Sequence, residues 1–157
     1  MRKQSDQQPE PSATQRLWTY EAARRAVPYL RAVVRSLREH WLHLQSARRQ
    51  IEQLDSHPGR PDRQILIRRT LAVNELDQAD IELEETFDEL KAIDVDCLDP
   101  AQGLALIPFG KGDELAWYEF DLFSPQGLEA WRFHGDPLEK RRPLKQDSAS
   151  VLPRQSA

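Results

Sequence analysis

The sequence predicts an α+β fold in which a long antiparallel helical hairpin is followed by a small three-stranded antiparallel sheet. Two long segments place apolar residues three and four positions apart, which is the spacing of one helix face. Between them, His57-Pro58-Gly59 predicts a reversal of the chain, because proline and glycine are the strongest turn-forming residues. After Ile93 apolar and polar residues alternate, which is the period of a half-buried strand.

The composition is typical of a water-soluble protein. Of 157 residues, 31% are charged, the net charge is -4 and the mean hydropathy is -0.72. An acidic chain gives no general support to nucleic-acid binding, and its short apolar runs predict neither a membrane span nor a signal peptide. We expect a cytoplasmic protein, in agreement with a single cysteine, Cys97, which has no partner for an internal disulfide.

A single domain is expected over residues 17–144, with the hairpin at 20–93 and the sheet at 104–134. The flanking segments, 1–16 and 145–157, are rich in Gln, Ser, Pro and charged residues. Such segments bury too little apolar surface to order themselves, so both are predicted to be disordered tails.

The first helix is predicted in two parts. Thr19 is a good N-cap, and Pro28 interrupts the pattern that follows it. Proline removes a helical hydrogen bond, so a short helical turn over 20–27 is expected to kink into a long helix that begins near Pro28. The apolar seam of this long helix is formed by Val34, Leu37, Trp41, Leu44, Arg48 and Ile51.

The second helix is predicted from Pro61 or Asp62 to Ile93, and its seam matches the first layer by layer. In this pairing Leu44 meets Ala72, and Arg48 meets Arg69. The arginines of the first helix are expected beside the acidic end of the second, which would favour the antiparallel arrangement. The basic set is Arg24, Arg25, Arg31, Arg35 and Arg38, and the acidic set is Asp80, Glu82, Glu84, Glu85, Asp88 and Glu89.

Three strands are predicted over 104–109, 114–122 and 128–134, joined by four-residue turns at 110–113 and 124–127. This register places Ala105, Ile107, Ala116, Tyr118, Phe120, Leu122, Trp131 and Phe133 on the face that packs against the hairpin. The opposite face, here called the outer sheet face, gathers Leu106, Trp117, Glu119, Asp121, Arg132 and His134. Glu119 is then directly opposite Arg132, and Trp117 is opposite His134.

Several short segments resemble a bacterial family of uncharacterised proteins, the domain of unknown function numbered 2203. They are Leu17-Trp18-Thr19-Tyr20-Glu21-Ala22, Val27-Pro28-Tyr29-Leu30, Gly103-Leu104, Ile107-Pro108-Phe109, Leu115-Ala116-Trp117, Ala130-Trp131 and Arg141-Arg142-Pro143-Leu144. In that family a His and then a Glu usually follow the second sheet tryptophan, where this chain has Arg132 and Phe133. The resemblance supports the fold and implies no assigned activity.

Two surfaces are candidate binding sites. On the outer sheet face, Trp117, Glu119, Arg132 and His134 could line a small-molecule pocket, or they could form structural pairs or a subunit interface. At the hairpin tip, Arg48, Arg49, Arg63, Arg68 and Arg69 could bind an anion, a nucleic acid or an acidic protein surface. Alternatively, Arg48 and Arg69 extend outwards and pair with Glu52 or Glu75.

No catalytic residue, metal site or cofactor is predicted. Glu39, His40 and His43 lack the inward Glu-x-x-His spacing of helical metal sites, and the acidic residues near Cys97 would raise the pKa of its thiol.

The preferred function is therefore a non-enzymatic interaction or scaffold protein. Ile67, Leu71, Ile81 and Phe87 lie off the main seam, and a homodimer that pairs hairpins side by side would cover part of this set. The alternatives are a small-molecule or metal-dependent enzyme that uses the outer sheet face, and anion or nucleic-acid binding through the hairpin tip.

Overall fold

A computed structural model describes residues 16–144 of the chain, so most of the first predicted tail and the whole of the second lie outside the described residues. The elements are α1 (Tyr20–Asp55), α2 (Arg63–Ala92), β1 (Asp96–Asp99), β2 (Leu104–Lys111), β3 (Glu114–Asp121), β4 (Leu128–Phe133) and β5 (Arg142–Pro143). The two helices form the hairpin, and the strands form one antiparallel sheet in the order β1-β2-β3-β4-β5. The predicted α+β class is confirmed, but the sheet has five strands rather than three.

Helix α1 is assigned as one helix from Tyr20 to Asp55 with Pro28 inside it, so the predicted division into a short helical turn and a separate long helix was wrong. The Thr19 side chain accepts a hydrogen bond from the Ala22 N–H at 3.1 Å, as expected for an N-cap. Pro28 is exposed, whereas Val27 and Leu30 on either side of it are buried. Core packing before and after the proline therefore outweighs the hydrogen bond that its missing N–H costs the helix.

The predicted apolar seam between the helices is confirmed where their central parts face each other. Leu44, Leu37 and Val34 are buried, as are Ala72, Ala79 and Leu83 on the facing helix. Arg48 is exposed, and Ala47 takes the buried position next to Leu44, so the placement of Arg48 in the seam was wrong. The seam continues from Leu44 to Ala47, three residues on, instead of to Arg48, four residues on. The methyl group of Ala47 is therefore buried and the guanidinium of Arg48 stays in water, which avoids burying a charge.

Within the described residues, the arginines of α1 form no ion pair with the acidic end of α2, although the sequence predicts that the two sets lie side by side. The sheet lies beside this half of α1, and three of the arginines donate hydrogen bonds to backbone carbonyls of its loops. These contacts run from Arg24 to Gln126 (2.8 Å), from Arg31 to Pro125 (2.7 Å) and from Arg38 to Ala101 (2.9 Å). In the described region, polar side chains join the helices at Tyr29–Glu89, by a hydrogen bond of 2.7 Å, and where His40 approaches Glu82 at 3.1 Å. A further link, near the hairpin tip, is the 2.8 Å hydrogen bond from Arg69 to Asp55.

The sheet register differs from the predicted one by two residues at each hairpin. Lys111 pairs with Glu114 across a two-residue turn whose Gly112 has φ +61°, so the first turn is shorter than predicted. On the other side of β3, Trp117 pairs with Arg132, so the predicted pairing of Glu119 with Arg132 was wrong. Because both shifts are even, the side chains of β2, β3 and residues 130–133 of β4 keep their predicted faces. A β-bulge then pairs Phe120 with Leu128, so Leu128 is buried in the core although alternation from Arg132 would place it on the outer face.

The core lies between the hairpin and the inner face of the sheet. Phe120, Ile107 and Leu128 of the sheet pack into the same buried cluster as Leu30 and Leu37 of α1. At Gly127, which has φ +77°, the backbone approaches Val27 so closely that an added Cβ would lie 2.8 Å from its Cγ1. The sheet is thus held tightly against the N-terminal half of α1, and the far half of the hairpin extends beyond it.

Candidate functional site

The outer sheet face brings together the four residues predicted to line a site. Trp117 is 7% exposed, and Glu119 and Arg132 are each 4% exposed, whereas His134 is exposed. The Trp117 indole N–H donates to His134 Nδ1 at 3.2 Å, although the two residues are not directly opposite in the register.

The chain itself supplies the partners of the buried charges. Arg132 donates to the carbonyls of Asp136 at 2.9 Å and Leu138 at 3.4 Å, and its Nη1 lies 3.7 Å from a carboxylate oxygen of Glu119. The other oxygen of Glu119 accepts a hydrogen bond from Arg141 at 2.7 Å. A ligand could reach Glu119 or Arg132 only if the segment 136–141, which supplies these partners, moved. Ligand binding at the outer sheet face therefore stays a prediction.

A hollow of about 420 Å³ lies beside this cluster, lined by Glu114, Leu115, Phe133, His134, Gly135 and Asp136. Hydrogen bonds from Arg142 and from the Phe133 backbone N–H lower the pKa of Asp136. Both oxygens of that carboxylate are already engaged, since Arg142 lies near each of them. The hollow therefore offers no unengaged oxygen from Asp136.

At the hairpin tip, the predicted arginines separate into one paired residue and four unpaired ones. Arg69 donates to Asp55 at 2.8 Å, and this hydrogen bond raises the pKa of the guanidinium. The partner is Asp55 rather than Glu52 or Glu75, and both Arg48 and Arg69 are exposed. The other four arginines are exposed and make no ion pair within the described part of the chain: Arg48, Arg49, Arg63 and Arg68.

The face of α2 that points away from α1, here called the outer face of α2, carries four large aliphatic side chains. Leu66, Ile67, Leu71 and Ile81 are 52%, 46%, 57% and 52% exposed. A shallow hollow of about 270 Å³ is lined by Arg63, Leu66, Ile67, Thr70 and Leu71. Phe87, which the sequence placed with this group, instead packs against the core.

Charge is unevenly distributed along this same face. Arg63 lies at its first turn, and Glu84, Glu85 and Asp88 lie near its last turns. All four are exposed, and within residues 16–144 they form no ion pair. The outer face of α2 is therefore basic at one end, apolar in its first half and at Ile81, and acidic at the other end.

The groove between the helices has a volume of about 340 Å³ and is lined by His43, Ser46, Glu75, Gln78, Ala79 and Glu82. His40 Nδ1 lies 3.1 Å from Glu82, without the orientation of a hydrogen bond. Among the residues that the structure describes, no three His, Cys, Asp or Glu side chains are placed to hold a metal ion. Burial, and secondly Asp99, raise the pKa of the Cys97 thiol to about 11, which keeps it protonated and unreactive.

Two features of these surfaces were missed by reasoning from the sequence. Leu66 was not grouped with the aliphatic residues of α2, although it follows Ile65 of the seam directly. Arg141 was not identified as the partner of Glu119, although Arg141-Arg142 stands out as a basic pair in the last described segment.

The model of a family described as "Uncharacterized conserved protein (DUF2203)" matches residues 16–119, which include both helices and β1, β2 and most of β3. No curated protein and no solved structure matches the chain. Neither helix of the described region is long and apolar enough to cross a membrane.

Proposed function

The chain belongs to the DUF2203 family of uncharacterised conserved proteins, whose description names no activity, and we propose its function from the surfaces of the structure. We propose that it is a non-enzymatic, homo-oligomeric interaction or scaffold protein of the cytoplasm. The contact surface is the outer face of α2. The observation that carries this proposal is the exposure of four large aliphatic side chains on one face of one helix. Single exposed apolar residues are common on protein surfaces, whereas a group on one helix face is typical of an interaction site.

The free energy available on this face suits a reversible contact. Fully burying one Leu or Ile gives about 1.5–3 kcal/mol, so covering the exposed half of four such residues gives about 3–6 kcal/mol per protomer. Association itself costs about 4–15 kcal/mol in lost translational and rotational freedom. The apolar contact of two protomers is therefore comparable to this cost, and the charged ends of the face decide whether a partner binds.

An enzyme that uses the outer sheet face is the weaker alternative. Its central residues, Trp117, Glu119 and Arg132, are covered by this chain and hydrogen-bonded within it. An open pocket lined by convergent polar groups is the usual form of a small-molecule site.

Site-specific photo-crosslinking in cells tests the proposed surface. We expect benzoyl-phenylalanine in place of Leu71 to form covalent adducts with protein on irradiation. The matched control is the same amino acid in place of Ala32, which is exposed on α1. Adducts at Leu71 that are absent at Ala32 would support an interaction surface on α2. Equal adduct yields at the two positions, or none at either, would refute it.

A further inference from the structure

We propose that the partner of the outer face of α2 is the same face of a second copy, packed antiparallel about a twofold axis at Asn74. This inference rests on the proposed function and goes further, because it specifies the twofold, antiparallel packing of the two copies and the register of their contact. Asn74 is exposed and lies midway between Ile67 and Ile81, seven residues from each. In an antiparallel pair centred on Asn74, Ile67 of each copy would lie opposite Ile81 of the other.

The helical repeat puts the relevant residues on one stripe. Seven residues fall about 20° short of two turns, and eleven residues pass three turns by about 20°. Ile67 and Ile81, seven residues from Asn74, therefore lie within about 20° of its direction. Arg63 and Glu85, eleven residues from Asn74 on either side, do so as well. A helix face with this symmetry can contact a copy of itself across a twofold axis.

Charge complementarity favours the antiparallel arrangement. Arg63 of each copy would lie opposite Glu85 of the other, and both residues are exposed and without an ion pair in the described region. Arg60, just before α2, would approach Asp88 of the other copy in the same way. A parallel pair would instead place Arg63 beside Arg63 and Glu85 beside Glu85, which is repulsive.

The shape of the surface agrees with this register. The hollow of about 270 Å³ surrounds Ile67 and lies between Arg63 and Leu71. In the antiparallel pair, the exposed Ile81 of the second copy would project at this hollow. Two such contacts, related by the axis, would cover the aliphatic residues of both copies.

Charge-swap variants test both the partner and the register. In homodimers, Arg63→Glu and Glu85→Arg each place like charges opposite each other, so each variant alone should dimerise roughly tenfold more weakly than the wild type. In an equimolar mixture of the two variants, a heterodimer contains one copy of each. The glutamate introduced at position 63 of one copy then lies opposite the arginine introduced at position 85 of the other, and the native Glu85 of the first copy lies opposite the native Arg63 of the second. We therefore expect heterodimers with nearly wild-type affinity, resolved from homodimers by their masses in native mass spectrometry.

Matched controls separate assembly from folding. Arg49→Glu changes an exposed arginine outside the proposed contact and should leave the dimer unaffected. Both swapped residues are exposed in the monomer, so the thermal unfolding midpoint at low protein concentration should not fall.

The outcomes separate the two proposals. A wild-type protein that remains monomeric at high micromolar concentration, or a mixture that does not form heterodimers, overturns the twofold dimer. If photo-crosslinking at Leu71 then captures a different polypeptide, the outer face of α2 remains an interaction surface, whereas the homo-oligomeric part of the proposed function and the inferred partner are both wrong. Homodimers unaffected by the swaps would show that the copies meet through another face.

Discussion

Replacing Glu119 with glutamine removes the only carboxylate beside Arg132 in the described structure and keeps the side chain's shape. Glu119 and Arg132 are both almost fully buried, and they lie 3.7 Å apart. Arg141 also donates to Glu119, but its side chain is 52% exposed. After the substitution Arg132 would remain buried as a cation without a counter-ion.

The expected loss of stability in Glu119→Gln depends on the hydrogen bonds that Arg132 keeps. Leaving one member of a buried ion pair without its partner costs about 3–5 kcal/mol. Because Arg132 still donates to the carbonyls of Asp136 and Leu138, we expect the lower end, about 3 kcal/mol. For a chain of this length each 1 kcal/mol lowers the thermal midpoint by about 2–4 °C, so the expected decrease is about 6–12 °C.

Thermal unfolding followed by circular dichroism measures this effect, with two control variants. Arg141→Gln removes the exposed partner and should cost less than about 1 kcal/mol. Combining Glu119→Leu with Arg132→Met replaces the pair by apolar side chains of similar size and should be close to neutral. If Glu119→Gln lowered the free energy of unfolding no more than Arg141→Gln, the reasoning would be refuted. Glu119 and Arg132 would then be accessible to water, and the outer sheet face would again be a candidate ligand site.

Alkylation of Cys97 and alanine substitution at Gly127 test two other parts of the fold. Alkylation of Cys97 at pH 8 should be about 100-fold slower in the folded protein than in denaturant, because a pKa of about 11 leaves far less thiolate than a pKa of 9.0. Since the unfolded chain ionises first, stability should also fall as the pH rises from 9.0 towards 11; equal alkylation rates would contradict the burial of the thiol. Gly127→Ala should cost about 1–3 kcal/mol more in urea unfolding than Gly112→Ala, because both glycines have positive φ but only Gly127 has Val27 in the way. Equal losses would mean that the contact with Val27 relaxes freely.

The parts of the fold that could be predicted are those that depend on periodicity. The apolar spacing identified both helices and most of their seam, and the alternation after Gly103 identified three strands and their faces. Most side chains lie on their predicted faces because the register error is two residues between β2 and β3 and along residues 130–133 of β4. The exception is Leu128, which a β-bulge pairs with Phe120 and turns into the core. The edge strands β1 and β5 have four and two residues, too few to show a period.

The candidate sites were harder to predict because they depend on contacts between distant segments. The cluster at Glu119 requires the return of Arg141, 22 residues later, and no local pattern encodes that return. Arg48 was misplaced for a related reason, since Ala47 fits the seam equally well by spacing and only burial of the charge separates the two choices.

The charge pattern of the helices was read correctly from the sequence but assigned to the wrong contact. Arginines near the start of α1 and carboxylates near the end of α2 do lie at the same end of the hairpin, yet Arg24, Arg31 and Arg38 donate to carbonyls of the sheet loops. The exposed carboxylates Glu84, Glu85 and Asp88 lie on the outer face of α2, which points away from α1, and they form no ion pair in the described region. The exposed arginines at the other end of the hairpin carry the opposite charge, and in the proposed dimer the two groups would meet between molecules. The separation of unlike charges along the outer face of α2 is the feature that the proposed antiparallel self-association would use.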